Sequence, residues 1–175
     1  MPSLRPNAFT DASWGRYMKL CRSDPGRVVH DEEGGGGGEL QPLGEGGGDA
    51  KACGACRHAA PLRSHHCHAC RCCVRAFDHH CFWIGTCVGE SNHLLFAAYL
   101  WVQTVVLVLA VSFTGESLQQ AADAPLHAAK VIIMMCLLCS LVMVGSLAVF
   151  HVYLLSTGQT TREVQRRACA INAKL

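Results

Sequence analysis

Charge is missing from two long stretches of this chain. Residues 94–113 and 131–155 contain no Asp, Glu, Lys or Arg. A small soluble enzyme with one mixed core is thereby excluded, because its helices would need polar faces for water. Residues 53–92 lack something else: they hold few large aliphatic side chains, too few for a conventional core. Residues 1–20 have no apolar run that could act as a secretory signal. Glycine runs at 34–38 and 46–48 are followed by no Gly-Lys-Ser/Thr, which excludes a phosphate-binding P-loop. The formal net charge of +2 is too mild to mark a nucleic-acid binder.

Cysteine, by contrast, is abundant. Eight of the twelve cysteines lie between positions 53 and 87. His58, His65, His66, His68, His79 and His80 share that stretch. A disulfide framework has no need of histidine, whereas zinc sites use both residue types. The block is therefore read as metal-binding, and so as facing a reducing compartment.

The chain divides by composition. Residues 1–50 read as a flexible cytosolic segment rich in glycine and acid, unable to bury enough apolar surface to offset its ordering entropy. Residues 51–93 form the cysteine-rich domain, with short strands, turns and knuckles expected and with metal supplying the folding energy. Residues 94–113 would span about 30 Å as a helix, which matches a bilayer's hydrocarbon core. Residues 131–155 form a second, longer span, and 114–130 a loop between the two. Residues 156–175 are a short tail. Ten of the fifteen Lys and Arg precede the first span, four follow the second, and residues 114–127 have none. The positive-inside rule then puts both termini in the cytosol and the loop on the lumenal side. His151 reads as lying near the membrane face or packed between helices, not as catalytic, and Cys136 and Cys139 read as small apolar packing residues.

Cys53 and Cys56 make one C-x2-C, Cys67 and Cys70 another, with Cys73 and Cys87 further on. Two intervening residues let both sulfurs of a knuckle reach one tetrahedral ion. With His66 and His80 these six cysteines give eight ligands, enough for two closed sites, though spacing leaves their pairing open. A nucleic-acid zinc finger would need a recognition helix, and a membrane span begins where that helix would lie. Cys72 reads as a spare surface thiol. Cys81 directly follows Asp78, His79 and His80. His79 can take its proton and Asp78 can orient the imidazole, as in other acid–base–nucleophile triads. Equally, these three residues can be a supporting shell and spare ligand of a structural zinc site.

The string Asp78-His79-His80-Cys81, set among C-x2-C, His-Cys-x2-C-x2-C and Cys-Val-Gly, resembles the DHHC family of protein S-acyltransferases (palmitoyltransferases). The match runs over residues 53–96 and includes Pro61, Arg63, His66, Trp83, Gly89 and Asn92. Asp24-Pro25-Gly26 looks like the family's DPG element, and Thr160-Thr161-Arg162-Glu163 like its TTxE element.

The resemblance implies an α-helical multi-pass membrane protein with a cytosolic cysteine-rich domain around two structural zinc ions. Two of the family's four spans would lie in this chain, so that it reads as an incomplete gene model, splice form or fragment. One ion would take Cys53, Cys56, His66 and Cys73, the other Cys67, Cys70, His80 and Cys87. Cys81 would be the nucleophile, His79 its base and Asp78 the group behind the base. Thr161 would bond toward Asp78, and Trp83 and Phe96 would lie near the mouth of an acyl-chain cavity. The implied reaction carries a long-chain acyl group from palmitoyl-CoA, through an acyl-enzyme, to juxtamembrane cysteines of membrane-associated proteins at the Golgi or endoplasmic reticulum. The alternative is a catalytically inactive zinc-folded membrane adaptor. Ala60, Phe82 and Thr86 depart from the usual Lys or Arg, Pro and Asn of the family.

Overall fold

The computed structural model describes residues 8–28, 51–119 and 123–173. The glycine runs, read above as flexible, lie outside the described residues. The described residues fall into two compact units, those within 1–17 and 95–157 and those within 18–94 and 158–175.

The first unit is helical. Helix α1 is Ala8–Cys21, and its part in this unit packs Trp14 against Tyr17 and Tyr17 against Tyr99 in tilted pairs, with ring centroids 5.5 Å and 5.7 Å apart. Here the structure corrects the reading of residues 1–50 as flexible throughout, because three aromatic rings give this segment packing that its composition does not advertise. Helix α2 is His93–Gln119, 27 residues, and helix α3 is Ala124–Thr157, 34 residues. Both are long and apolar enough to cross a membrane. Ile132, Met135, Val142 and Val149 of α3 are among the exposed large apolar side chains.

Both helices outrun the uncharged stretches. Residues 114–119 contain no proline, so nothing stops α2 at the first polar residue. Pro125 sits in the first turn of α3, where a missing amide costs no hydrogen bond. Lys130 Nζ donates to the carbonyl of Ser117 at 2.7 Å and ties the two ends together. Most of the stretch read as a loop at 114–130 is therefore helix. Phe96 and His151, both buried, meet edge to face at 4.9 Å.

The second unit is built from three antiparallel hairpins with three-residue strands. Strand β1 (Lys51–Cys53) pairs with β2 (His58–Ala60), β3 (His65–Cys67) with β4 (Cys72–Val74), and β5 (His79–Cys81) with β6 (Thr86–Val88). Helix α4, Thr161–Asn172, completes the unit. Such short strands cannot stand by propensity; their ends are fixed by turns. Arg57 and Arg71, each directly after the second cysteine of a C-x2-C, adopt positive φ of 58° and 54°. Cys56 N donates to Cys53 Sγ at 3.4 Å and Cys70 N to Cys67 Sγ at 3.5 Å, closing two like knuckles.

Residues 24–28 dock on this frame. Asp24 Oδ1 accepts from the amides of Gly26 and Arg27, and Gly26 takes φ of 92°. Val28 N then donates to Cys73 O at 2.8 Å, and Arg75 N to Gly26 O at 2.9 Å. A side chain at Gly89 would meet Pro25 O at 2.5 Å and Val74 Cγ1 at 2.6 Å, so only glycine permits this approach. Asn92, fully buried, accepts from Gly89 N and donates to Cys87 O and Ser23 Oγ. That single amide fastens the segment before the hairpins to the turn after them.

Candidate active site and metal centres

Alternation along β5 separates two chemistries. Neighbouring residues of a strand point to opposite faces, and directly paired residues of an antiparallel ladder share a face. His80 pairs with Cys87, so both look to one face; His79 pairs with Val88 and Cys81 with Thr86, and these look to the other.

On the first face, His80 Nδ1 lies 3.6 Å from Cys67 Sγ, 3.4 Å from Cys70 Sγ and 3.6 Å from Cys87 Sγ. Cys87 and Cys70 sulfurs are 3.5 Å apart. A second quartet comprises Cys53, Cys56, His66 and Cys73. In it, Cys56 Sγ lies 3.1 Å from His66 Nδ1 and 3.7 Å from Cys73 Sγ, with Cys73 to His66 at 4.0 Å. A tetrahedral zinc with Zn–S of about 2.3 Å and Zn–N of about 2.0 Å holds its ligand atoms about 3.5–3.8 Å apart. Both quartets fit that ion in donor type and in spacing.

The thiols argue likewise. Burial, and behind it the neighbouring thiols, pushes Cys73 up to about 12 and raises Cys87 as well. Three clustered sulfurs cannot ionise together unless a cation lies among them.

Cys72, read from the sequence as a spare surface thiol, belongs to neither quartet and is half-buried. It pairs with Cys67 across the β3–β4 ladder and packs against Cys67, Val74 and Cys87.

On the second face stands the candidate reaction centre. Asp78, 2% exposed, accepts from His79 Nδ1 at 2.7 Å. It also accepts from Thr161, whose amide reaches Oδ1 at 2.6 Å and whose hydroxyl reaches Oδ2 at 2.8 Å. Burial would raise the pKa of Asp78, yet the bonds from His79 and Thr161 outweigh it and hold the carboxyl below its usual range. The N-terminus of α4 adds favourable partial charge at the same place.

Because Nδ1 of His79 is taken by a carboxylate, its other nitrogen faces Cys81. Burial opposes the charged imidazole, but the bonds to Asp78 and Cys81 prevail and raise it to about 9. Cys81 is 7% exposed. Burial opposes its thiolate, while the bond from His79 and the amides of Ile84 and Trp83 outweigh that and lower the thiol's pKa. A lowered thiol beside a raised imidazole favours the thiolate–imidazolium form over the neutral pair.

After Cys81 the chain makes one 3-10 turn, Phe82–Ile84, closed by Gly85 at φ of 66°. Phe82 and Trp83 at this tip are 85% and 77% exposed.

Thr160 and Glu163 have roles that the sequence signalled without being read for them. Thr160 Oγ1 accepts from Glu163 N at 3.3 Å and Glu163 Oε2 accepts from Thr160 N at 2.9 Å, a capping box written in the spacing T-x-x-E. Glu163 also takes a fork from Arg63, Nε to Oε1 at 2.7 Å and Nη2 to Oε2 at 2.9 Å. Arg63 Nη2 reaches Gly158 O as well. The capped start of α4 thus carries Thr161 to Asp78. Beside it opens a cleft of about 430 Å³ lined by Arg63, His65, Phe77, Arg162 and Arg166. Arg162 stacks over the Phe77 ring at 5.9 Å.

No curated protein matches this chain. A family model does: DHHC palmitoyltransferase, over residues 47–168, more than half of the chain. That range takes in both quartets, the Asp78–His79–Cys81 face and both long helices, and the chain belongs to the DHHC palmitoyltransferase family.

Proposed function

We propose that this chain carries the acyl-transfer centre of a protein S-palmitoyltransferase, with Cys81 as the acyl carrier. The observation that carries this reading is the hydrogen-bonded line Thr161–Asp78–His79–Cys81. A cysteine that merely supported a zinc site would have no use for a buried carboxylate oriented by two further donors.

In the first step the Cys81 thiolate attacks the thioester carbon of a long-chain acyl-CoA. The carbon–sulfur bond to coenzyme A breaks, and the departing thiolate takes the proton held by His79. In the second step an acceptor cysteine gives its proton to His79 and attacks the Cys81 thioester. Each step exchanges one thioester for another, so the protein's contribution is positioning and charge. The cationic cleft lined by Arg63, Arg162 and Arg166 suits a co-substrate that bears phosphates. Acceptors are cysteines of membrane-associated proteins on the cytosolic side, and the acyl chain stays among the membrane helices. Helices α2 and α3 span the bilayer, with both termini cytosolic at the Golgi or endoplasmic reticulum.

Zinc is structural in this reading. Cys53, Cys56, His66 and Cys73 hold one ion, and Cys67, Cys70, His80 and Cys87 the other; each ion supplies folding energy and leaves no position open for substrate. His80 places the metal on the face of β5 opposite to the reacting sulfur.

Incubation of the membrane-embedded protein with palmitoyl-CoA and a lipid-anchored cysteine peptide tests the reading. Release of coenzyme A followed by acylated peptide is the expected result. A zinc-loaded chain that releases no coenzyme A would instead be an adaptor.

A further inference from the structure

Among the described residues, one buried side-chain oxygen finds no hydrogen-bond partner within the protein: Oγ1 of Thr86. Thr86 is 5% exposed, so its hydroxyl is withdrawn from water and not repaid by the fold. Buried polar groups of this kind are few, and a catalytic role is one of the reasons a fold keeps one.

Its position says which function. Thr86 is the direct ladder partner of Cys81. Paired residues of an antiparallel hairpin share a face, with Cβ atoms about 4.5–5.5 Å apart. The next pair along checks this orientation. His80 and Cys87, also direct partners, bring Nδ1 and Sγ to 3.6 Å on the other face. Thr86 therefore stands on the face of Cys81 and His79. The third pair, His79 with Val88, offers only a valine there, which has no donor. The amides of Trp83 and Ile84 are turned to the Cys81 sulfur, where they lower its pKa. The threonine hydroxyl is the donor left over, and its proton can rotate to meet an incoming acceptor.

Resting on the acyl-enzyme reading above, we infer that Thr86 is a catalytic residue whose hydroxyl binds the carbonyl oxygen of the thioester during transfer. As Cys81 sulfur bonds to the carbonyl carbon, the carbonyl π pair moves onto oxygen, and Thr86 Oγ1–H donates to that oxyanion. When the oxygen's pair returns, the bond to the coenzyme A sulfur breaks, and that sulfur takes the proton from His79. Thr86 keeps its own proton throughout. The second transfer uses the same donor as the acceptor's sulfur attacks. The hydroxyl is idle in the resting protein because its partner arrives with the substrate and is charged only in the transition state.

The test uses the full chain in membranes with palmitoyl-CoA and compares Thr86→Val with Thr86→Ser. Valine keeps the shape and removes the donor; serine keeps the donor. Three quantities are read: zinc content, the alkylation rate of Cys81 by iodoacetamide, and the rate of Cys81 acylation. Loss of an oxyanion donor is expected to slow acylation of the Thr86→Val chain about 100-fold. Its zinc content and alkylation rate should match the wild type, since the thiolate and its imidazole are untouched. Thermal stability should be equal or higher, because an unpaired buried hydroxyl has gone. Thr86→Ser should recover most of the acylation rate.

Acylation of the Thr86→Val chain at the wild-type rate overturns the assignment. So does a parallel fall of alkylation and acylation, which would make Thr86 a structural residue. A wild-type chain that takes no acyl group on Cys81 overturns the acyl-enzyme reading itself, and this assignment with it.

Discussion

Thr161 grips Asp78 with two bonds, its amide on Oδ1 at 2.6 Å and its hydroxyl on Oδ2 at 2.8 Å, across 83 positions of sequence. The carboxylate that orients His79 is thus itself oriented by the first residue of α4. Thr161→Val leaves the amide bond and removes the other. A hydrogen bond to a charged group contributes about 1.5–3 kcal/mol. Acylation of Cys81 should slow by about 10- to 100-fold with zinc content unchanged, and Thr161→Ser should restore it. Stopped-flow release of coenzyme A measures both.

A second prediction concerns pH. In the wild type the Cys81 thiol is lowered and His79 is raised to about 9, so the thiolate forms more readily than that of an ordinary cysteine. Alkylation by iodoacetamide should therefore rise at a lower pH than that of an ordinary cysteine thiol. His79→Ala removes the cation that favours the thiolate. Its thiol should return toward the ordinary value of about 8.5, and its alkylation should then climb steeply with pH above 7. A profile in that variant unchanged from the wild type would remove His79 from the account.

Legibility in the sequence varied with the range of the interaction. Uncharged runs mark both long helices, but they do not mark their ends. Residues 114–119 are mostly polar yet compatible with a helix, and Pro125 is tolerated in a first turn. The two knuckles follow from C-x2-C spacing. The division of eight side chains into two quartets does not, because the two sets interleave along the chain, and only the resemblance implied which belong together. The packing of residues 24–28 on β4 was illegible for a different reason. It depends on backbone bonds to Cys73 and Arg75, and backbone atoms carry no sequence signature. Thr86 drew notice only as a departure from a family pattern. Its significance needs the β5–β6 register, which sets it opposite Cys81.

Metal content gives the third prediction. Purified protein should carry about two zinc ions per chain, one for each quartet. Cys53→Ser or Cys87→Ser should release metal and unfold the hairpins, whose strands are too short to persist alone. Cys72→Ser should keep both ions, at a modest cost in packing against Cys67 and Val74. Elemental analysis of the variants decides; loss of zinc from Cys72→Ser would show that the ligand set is wrong.

Glu163 supplies the fourth. Glu163→Gln weakens the fork from Arg63 and the charge at the start of α4 while leaving a side chain able to accept from Thr160 N. Glu163→Ala removes the cap partner as well. Loss of a cap costs about 0.5–2 kcal/mol, so thermal stability should fall in the order wild type, Gln, Ala. Because the start of α4 also positions Thr161, acylation should decline in the same order. Differential scanning calorimetry beside the acylation rate checks the correlation, and a stable Ala variant with full activity would contradict it.

The most direct test of the central claim is to find where the acyl group sits. Protein incubated briefly with an alkyne-tagged palmitoyl-CoA is digested without reductant, and the tag is assigned by mass spectrometry among the twelve cysteines. The account predicts a hydroxylamine-labile thioester on Cys81, absent from Cys81→Ser although that variant keeps its zinc. A tag retained by Cys81→Ser with undiminished transfer to acceptor peptide would contradict it.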